Sequence, residues 1–272
     1  MPAPTPTSPT TAAPAHAHSR ARASAPSGAS AAVLRAEARL FRREPAAVFW
    51  IILFPALLLT ILGLIPAMRE VDEELDGQRV IDLYVPTVVL LAMIVAGVQS
   101  MPVTLTSYRE HGILRRLSTT PARPRYLLIA QLVLHGAAML LGLVLALVVG
   151  RLAFDVGLPS QPAGYALTVL VAGFAALALG GLLSSFFRTV KATQAVSTAV
   201  FFPMMFTAGV YVPISTLPDG LRTVVELTPF GAASQALDAA AVGDWPSWTH
   251  LGVTALWGVV LVSAAARWFR WE

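Results

Sequence analysis

Residues 126–149 read YLLIAQLVLHGAAMLLGLVLALVV, and this stretch contains no Asp, Glu, Lys or Arg. A helix needs about 20 predominantly apolar residues to cross the roughly 30 Å of hydrocarbon in a bilayer. The stretch is longer than a core helix of a soluble domain requires, and it therefore predicts a transmembrane helix.

The composition of the whole chain agrees with a membrane protein. Of its 272 residues, 56% are hydrophobic and 12% are charged, whereas a soluble domain carries about 25% charged residues. The chain has no cysteine, which excludes disulfide bonds and thiol chemistry. Its basic pI near 10.0 comes from residues that flank apolar stretches, so we interpret them as topology determinants and lipid contacts rather than as a nucleic-acid site.

Six apolar stretches predict the fold class, an all-α integral membrane protein with six transmembrane helices. The predicted spans are 46–66, 83–106, 126–149, 164–187, 192–212 and 248–268. An even number of spans returns the C-terminus to the side on which the N-terminus lies.

Positive charge is sorted to one side of these spans. Fifteen of the 19 Lys and Arg residues fall in the N-terminal segment, the second and fourth connections and the C-terminus. Only Arg69, Arg79, Arg151 and Arg222 lie in the other connections. Because cytoplasmic loops carry the excess of Lys and Arg, we expect both termini in the cytoplasm of a multi-pass protein in a bacterial plasma membrane.

The N-terminal region divides into two parts. Residues 1–30 contain six prolines and no apolar core, which predicts a disordered cytoplasmic tail. Residues 31–45, AAVLRAEARLFRREP, alternate apolar and basic side chains at helical spacing. We expect an amphipathic helix in the cytoplasmic interface. Its apolar face would hold Val33, Leu34, Leu40 and Phe41, and its basic face Arg35, Arg39, Arg42 and Arg43.

Residues 213–247 precede the last span and are too polar to cross the membrane and too apolar for a free loop. Short helices are predicted at 221–227 and 231–242, separated by Pro229. Non-helical backbone at membrane depth must be buried in protein or line a wet cavity. We therefore expect re-entrant broken helices over 213–243.

Familiar sequence motifs for phosphate binding, metal binding and nucleophilic catalysis are missing from the chain. There is no G-x-x-x-x-G-K-[ST] phosphate loop, no H-E-x-x-H and no G-x-S-x-G. The span interiors hold His135 as their one titratable candidate, and a lone histidine there is more often hydrogen-bonded across helices than part of a proton relay. The sequence thus predicts no catalytic, cofactor or metal site and no use of an ion gradient. Uphill transport would draw its energy from a partner.

The connection 107–125, SYREHGILRRLSTTPARPR, has apolar residues spaced to form one face among arginines. A short helix here can lie on lipid headgroups or insert into a cytoplasmic protein with an apolar anchor and an arginine rim. The residues alone leave both interpretations open.

Three segments carry a family resemblance: EARLFRREP at 37–45, YREHGILRRLSTTP at 108–121 and AGVYVPISTLP at 208–218. In this order, with six spans and a late broken segment, the chain resembles the membrane subunit of a type-2 ABC exporter, closest to drug-resistance permeases of the daunorubicin-exporter kind. The resemblance covers about residues 31–270, so 46–272 is expected to be the six-span type-2 ABC transmembrane domain.

The resemblance implies an ATP-driven machine of two permeases, a homodimer being expected, and two copies of a separate ATPase subunit that binds ATP and Mg²⁺. It places the 31–45 helix against the ATPase and makes 107–125 the coupling loop. The implied ATPase-coupling residues are Arg39, Arg42, Arg43, Arg109, Glu110, Gly112, Leu114, Arg115, Arg116 and Leu117.

The resemblance also implies that the second and fifth spans line a route between two permease copies. Its candidate residues are Gln99, Thr104, Gln194, Ser197, Phe201, Phe202 and Met205, with Ser100, Thr198, Met204 and Phe206 beside them. Aromatic and methionine side chains suit a bulky amphiphile, although such stripes are also ordinary helix packing.

Alternatives remain at this point. The cargo is expected to be a hydrophobic drug-like compound, with a lipid-linked glycan or polysaccharide as the alternative. A membrane-embedded lipid-modifying enzyme would need paired acids or metal ligands at an interface, and the only acidic cluster, residues 70–76, is interpreted as a solvated loop. A membrane anchor without transport is the third possibility.

Overall fold

A computed structural model describes residues 27–72, 77–113 and 124–268, and within these ranges the protein is a helical bundle with one small hairpin. The tail up to residue 26, the centre of the acidic loop and most of the coupling loop lie outside the described residues. The helices are α1 (Ser27–Phe41), α2 (Pro45–Leu64), α3 (Val80–Glu110), α4 (Pro124–Phe154), α5 (Pro162–Phe186), α6 (Val190–Thr207), α7 (Asp219–Glu226), α8 (Pro229–Val242) and α9 (Trp248–Trp268).

Five helices in the described part of the chain are long and apolar enough to cross a membrane: α2, α3, α4, α5 and α9. The fifth predicted span corresponds to α6, which is not among them. Its 18 residues include Lys191, Gln194 and several hydroxyl side chains, which lower its hydropathy. At about 1.5 Å per residue this helix is about 27 Å long. The count of six spans stays a prediction.

Helix ends differ from the sequence expectations where local chemistry overrides the apolar pattern. The predicted 31–45 helix ends at Phe41, and Pro45 instead begins α2, where its missing N–H costs nothing. The predicted 192–212 span ends at Thr207, because Gly209 adopts a positive φ of 79° that turns the chain. The last span matches its predicted bounds.

Two transmembrane helices contain π-helical segments, at Phe49–Leu53 in α2 and at Val95–Ser100 in α3. Each segment ends two residues before a proline, Pro55 or Pro102. Proline has no N–H, and its ring clashes with the carbonyl four residues earlier, so the widened turn accommodates it. In α3, the helix therefore changes type locally before Pro102.

Helix α3 is the most buried of the five span candidates and packs against α4, α5, α6 and α8. Its contact with α5 is a backbone-to-backbone crossing. A Cβ on Gly97 would overlap the carbonyl oxygen of Ala176, and a Cβ on Gly180 would overlap the carbonyl oxygen of Gly97. Only glycine at these two positions allows the helices to approach so closely.

The end of the bundle that carries the 67–82 loop contains an antiparallel hairpin, β1 (Val71–Asp72) and β2 (Gln78–Arg79), which the sequence analysis did not predict. The Arg79 guanidinium bonds to both carboxylate oxygens of Asp82 at 2.7 and 2.9 Å and donates to the carbonyls of Phe154 and Asp155 at the end of α4. The hydrogen bond with Asp82 raises the pKa of Arg79. One arginine thus joins the beginning of α3 to the end of α4.

Between α6 and α9 the chain forms two short helices, α7 and α8, close to the predicted positions. Thr228 caps α8 through its hydroxyl, which accepts from the Gly231 amide at 3.1 Å, and Pro229 follows at the first helical position. Helix α8 is largely buried against α3, α5 and α9. Its depth in the membrane, and therefore its re-entrant character, remain predictions.

Candidate functional site

Helix α1 lies with one face against the bundle, mainly on α4, and the other open. Arg35, Arg39, Arg42 and Arg43 are exposed, as the amphipathic pattern predicts. The inward face differs from the prediction, because Leu40 is 48% exposed and Glu37 is only 7% exposed. The helix therefore directs a carboxylate, as well as apolar side chains, into the protein.

The Glu37 carboxylate is held by two donors from different helices. Its Oε2 accepts from the Tyr108 hydroxyl of α3 at 2.6 Å and from Gln131 Nε2 of α4 at 2.7 Å, and the two donors lie 3.2 Å apart. Among the described residues no Lys or Arg forms an ion pair with it. The pKa of the nearby Glu44 is raised by its own partial burial and by the charge of Glu37. Glu37 thus connects α1 to the ends of α3 and α4.

Arg109 and Glu110, both predicted to couple to an ATPase, make contacts within the chain. Arg109 donates to the carbonyls of Ser184 and Phe187, at 2.7 and 3.1 Å, where α5 ends. Glu110 accepts from the Val190 amide at 2.6 Å, where α6 begins. A cation at a helix C-terminus and an anion at a helix N-terminus are both stabilised by the helix dipole. The end of α3 is therefore fixed to the turn between α5 and α6.

Beyond these two residues the helix stops. The amides of His111 and Gly112 bond back to the carbonyls of Ser107 and Arg109, and Gly112 has a φ of 67°. Glycine adopts this left-handed conformation without the steric cost that other residues meet. Gly112 therefore directs the chain out of α3 into the coupling loop. Leu114, Arg115, Arg116 and Leu117, which carry the predicted coupling helix, lie outside the described residues.

The candidate path residues differ in their exposure to solvent. Gln194 is exposed and Phe202 is 55% exposed on the open side of α6. Ser197, at 0%, and Met205 are buried inside the chain, and Ser197 lies on a face of α6 that packs on α3. The other three, Gln99, Thr104 and Phe201, are partly buried. In this structure Gln194 and Phe202 are therefore exposed on the outside of the chain, whereas Ser197 and Met205 are enclosed within it.

His135 behaves as the sequence analysis expected of a lone histidine in a span. It is 1% exposed, and its Nε2 lies 3.1 Å from the Ser100 hydroxyl of α3. Its Nδ1 lies 3.0 Å from the Gln131 carbonyl. The prediction of a cross-helix hydrogen bond is therefore confirmed.

A family model described as ABC-2 family transporter protein matches residues 73–267. The match covers most of the chain. This protein belongs to the ABC-2 transporter family. No curated protein matches it. The family makes the chain a multi-pass membrane permease component of an ABC transporter, a transporter rather than an enzyme of its own, and it implies an ABC ATPase as partner and the lipid bilayer as surroundings.

The matched range includes the α3 end, the coupling loop and all of α6. It begins after α1. The contact between α1 and the bundle through Glu37 is therefore a property of this ABC-2 permease that the family match does not describe.

The ABC-2 permease also has a cavity of about 960 Å³ at the end opposite Arg109. The start of α3, the chain after α6 and the second half of α8 form its walls. Its described lining includes Asp82, Asp238, Asp244 and His250 and contains no Lys or Arg. None of the predicted path residues lines this cavity. Periodicity could not have found it, because its walls come from segments more than 100 residues apart.

Proposed function

We propose that this permease is the membrane subunit of an ATP-driven exporter, built from two permease copies and two ATPase subunits, which moves a hydrophobic drug-like compound outward. ATP and Mg²⁺ are bound by the ATPase, and this chain supplies the path and the mechanical connection. The observation that carries the proposal is the fixation of the α3 end, by Arg109 and Glu110, to the ends of both α5 and α6.

That fixation supports a lever mechanism. A short, rigid joint between three helices transmits a displacement of the adjoining loop to all three, and rigid-body movement is a common way to convert a local event into a global one. The joint lies next to the loop that holds the apolar and basic residues of the proposed coupling helix. The exposed arginines of α1 provide a second basic surface on the same side.

The concentration of Lys and Arg on one side of the predicted spans supports an orientation with both termini in the cytoplasm. It also supports six spans, since α6 begins at the same end of the bundle as α3 ends and returns to the other end. A span with hydroxyl and amide side chains is expected where a helix faces a polar path rather than lipid. We assign that role to the open side of α6, with Gln194 and Phe202.

The cargo is inferred from size and chemistry. A volume of about 960 Å³ lies within the range of pockets for drug-sized ligands, about 300–1,000 Å³. Its lining combines acidic side chains with Tyr84 and Trp245, a mixture that is compatible with an amphiphile that carries polar groups. A lipid-linked glycan is the alternative cargo, and it is distinguished by the substrate panel described at the end of the Discussion.

The coupling loop can be tested by replacing Leu114 and Leu117 with Asp. If the two leucines anchor a helix in the ATPase, burying two carboxylates in that apolar contact is strongly unfavourable. We expect the double variant to insert normally and to lose stimulated ATPase activity by at least about tenfold, which corresponds to 1.4 kcal/mol.

A matched control places the same charge in the same loop, with Ser118→Asp and Thr120→Asp. These positions do not belong to the apolar face, so we expect most of the activity to remain. Equal loss in both double variants would show a charge effect, and unchanged activity in the leucine variant would remove the coupling-loop assignment.

A further inference from the structure

The cavity at the end of the bundle opposite Arg109 lies within a single chain, and we call it the outer cavity. The lining residues on which the following argument depends are Tyr84, Ser234, Asp238, Asp244 and Trp245. The transport path that the family resemblance implies lies instead between two permease copies, and none of its candidate residues lines this cavity. The outer cavity is therefore a separate feature with a chemistry of its own.

Helix α8 has two chemically different faces, one toward the core and one toward the outer cavity. The core face consists of five apolar side chains that are 0% exposed, Ala232, Ala233, Ala236, Leu237 and Ala240. The helical repeat places Ser234, Gln235 and Asp238 together on the cavity side. Ser234 is 3% exposed, and the turn at Gly209 passes beside its hydroxyl. The only charged side chain of α8, Asp238, therefore belongs to the wall of the outer cavity.

The negative charge of the outer cavity is only partly compensated by the protein. Among the described residues, the lining contains Asp82, Asp238 and Asp244 and no Lys or Arg. Arg79 forms an ion pair with Asp82 at 2.7 Å, whereas in the same part of the chain no ion pair joins Asp238 or Asp244. Charges of one sign in a concave wall act together on a ligand. The outer cavity therefore attracts cations and repels anions.

A buried hydroxyl within electrostatic range of Asp238 adds unused hydrogen-bonding capacity. Tyr165 of α5 is 4% exposed, and its hydroxyl forms no hydrogen bond with any residue that the structure describes. Buried polar groups in proteins are normally hydrogen-bonded. The surroundings of Asp238 thus provide more polar groups than the contacts within the protein use.

Two aromatic side chains of the lining distinguish an organic cation from a metal ion. Tyr84 comes from the start of α3 and Trp245 from the chain after α8. Aromatic faces attract cations through the ring quadrupole, and proteins use them to recognise quaternary ammonium groups. A metal site needs several grouped ligands, and among the described residues no three His, Asp or Glu side chains are so placed. The lining therefore fits an organic cation.

We infer that the outer cavity binds an organic monocation, such as an amine or a quaternary ammonium or phosphonium compound, with Asp238 as its counter-ion and Tyr84 and Trp245 as aromatic contacts. The volume of about 960 Å³ accommodates a drug-sized cation. That this cation is also the exported cargo rests on the proposed function, whereas its binding is a property of the permease alone.

The first test measures equilibrium binding of radiolabelled tetraphenylphosphonium to the permease alone in nanodiscs, at about pH 7.5, where an unperturbed histidine is neutral. Empty nanodiscs of the same lipid composition give the binding to the bilayer, which is subtracted. We expect saturable binding to the native permease. Asp238→Asn keeps the size of the side chain but removes the counter-ion, and we expect it to weaken binding at least about tenfold.

Asp219→Asn is the matched control for this variant. It removes the same charge from an exposed residue that does not line the outer cavity, so we expect native affinity. Equal weakening by Asp238→Asn and Asp219→Asn would show a general effect of surface charge and would contradict the inference.

Trp245→Ala is a second variant that leaves all charges in place, so a result is available if Asp238→Asn expresses poorly. Loss of the aromatic contact should weaken binding by about threefold to tenfold. Trp50→Ala is its control, because Trp50 is similarly exposed, at 47% against 44% for Trp245, but lies on α2 outside the cavity lining. Native affinity in both tryptophan variants would contradict the assigned site.

Competition with triphenylphosphine oxide tests whether the outer cavity recognises charge. This neutral compound has a similar aromatic shape without the positive charge. We expect half-displacement of tetraphenylphosphonium to need at least about tenfold more of it than of unlabelled tetraphenylphosphonium. Equal competition would show recognition of apolar shape alone, and no saturable binding above that of empty nanodiscs would show that the cavity is not a cation site. Either result would overturn the inference.

A second measurement adds a cognate ATPase and records its hydrolysis rate as tetraphenylphosphonium is increased. We expect stimulation, with a half-maximal concentration at least about tenfold higher in Asp238→Asn than in the native complex. Native concentration dependence in that variant would contradict the assignment of the bound cation as cargo. If no ATPase co-purifies, the proposed function fails, and the binding measurements on the permease alone still decide whether the outer cavity is a cation site.

Discussion

Replacing Gly97 with alanine should prevent the permease from reaching its native packing. A Cβ at this position would overlap the carbonyl oxygen of Ala176 in α5, and backbone cannot move aside as a flexible side chain can. Forcing atoms into a packed interior costs about 1–3 kcal/mol or more. Here the displaced α3 also carries the Arg109 joint. We expect the yield of monodisperse protein to fall at least about tenfold.

The measurement is size-exclusion chromatography of a fluorescent fusion, followed by a thermal melt of any recovered protein. Gly136→Ala is the matched control in α4, because the nearest atom to its new Cβ would be Leu177 Cδ1 at an ordinary 3.9 Å. Native yield and melting temperature for Gly97→Ala would show that α3 and α5 do not cross as described.

Replacing Arg109 with alanine should leave a permease that inserts but couples poorly. Its guanidinium donates to two carbonyls where α5 ends, and hydrogen bonds to charged groups contribute about 1.5–3 kcal/mol each. Carbonyls at a helix C-terminus have no partner within the helix. Without Arg109, the α3 end loses these bonds to the end of α5, whereas its Glu110 contact with the start of α6 remains. We expect a lower melting temperature and at least about a tenfold loss of stimulated ATPase activity.

Arg188→Ala is the control for this variant. It removes one positive charge from the same turn, but its side chain is exposed, so we expect the melting temperature to remain native. Arg109→Lys should recover part of the stability, since an ammonium can reach one of the two carbonyls but cannot hold both in a fixed geometry. If Arg109→Ala matches the native protein in both measurements, the joint has no mechanical role.

The sequence is informative where one physical rule dominates. Long apolar stretches predicted α2, α3, α4, α5 and α9 because hydrocarbon thickness imposes a length. Composition could not decide α6, since its polar side chains lower the hydropathy on which a span assignment depends.

Side-chain contacts were less predictable, because they join residues far apart in the chain. Glu37 appeared as one polar residue among the arginines of α1, and its burial depends on Tyr108 and Gln131, which lie 71 and 94 residues later. Arg109 and Glu110 appeared as exposed charges beside a basic loop. Nothing in their local pattern indicated the helix ends, 75 to 80 residues away, that they contact.

The most direct test of the proposed function is co-expression of this permease with a cognate ABC ATPase and purification through a tag on the permease alone. ATP hydrolysis is then measured across a panel of drugs and lipid-linked glycans. We predict that the ATPase co-purifies and that its rate responds to drug-like amphiphiles. A response to the glycans instead would reassign the cargo. If no ATPase co-purifies when both proteins are well expressed, the partner surface on α1 and the coupling loop is contradicted.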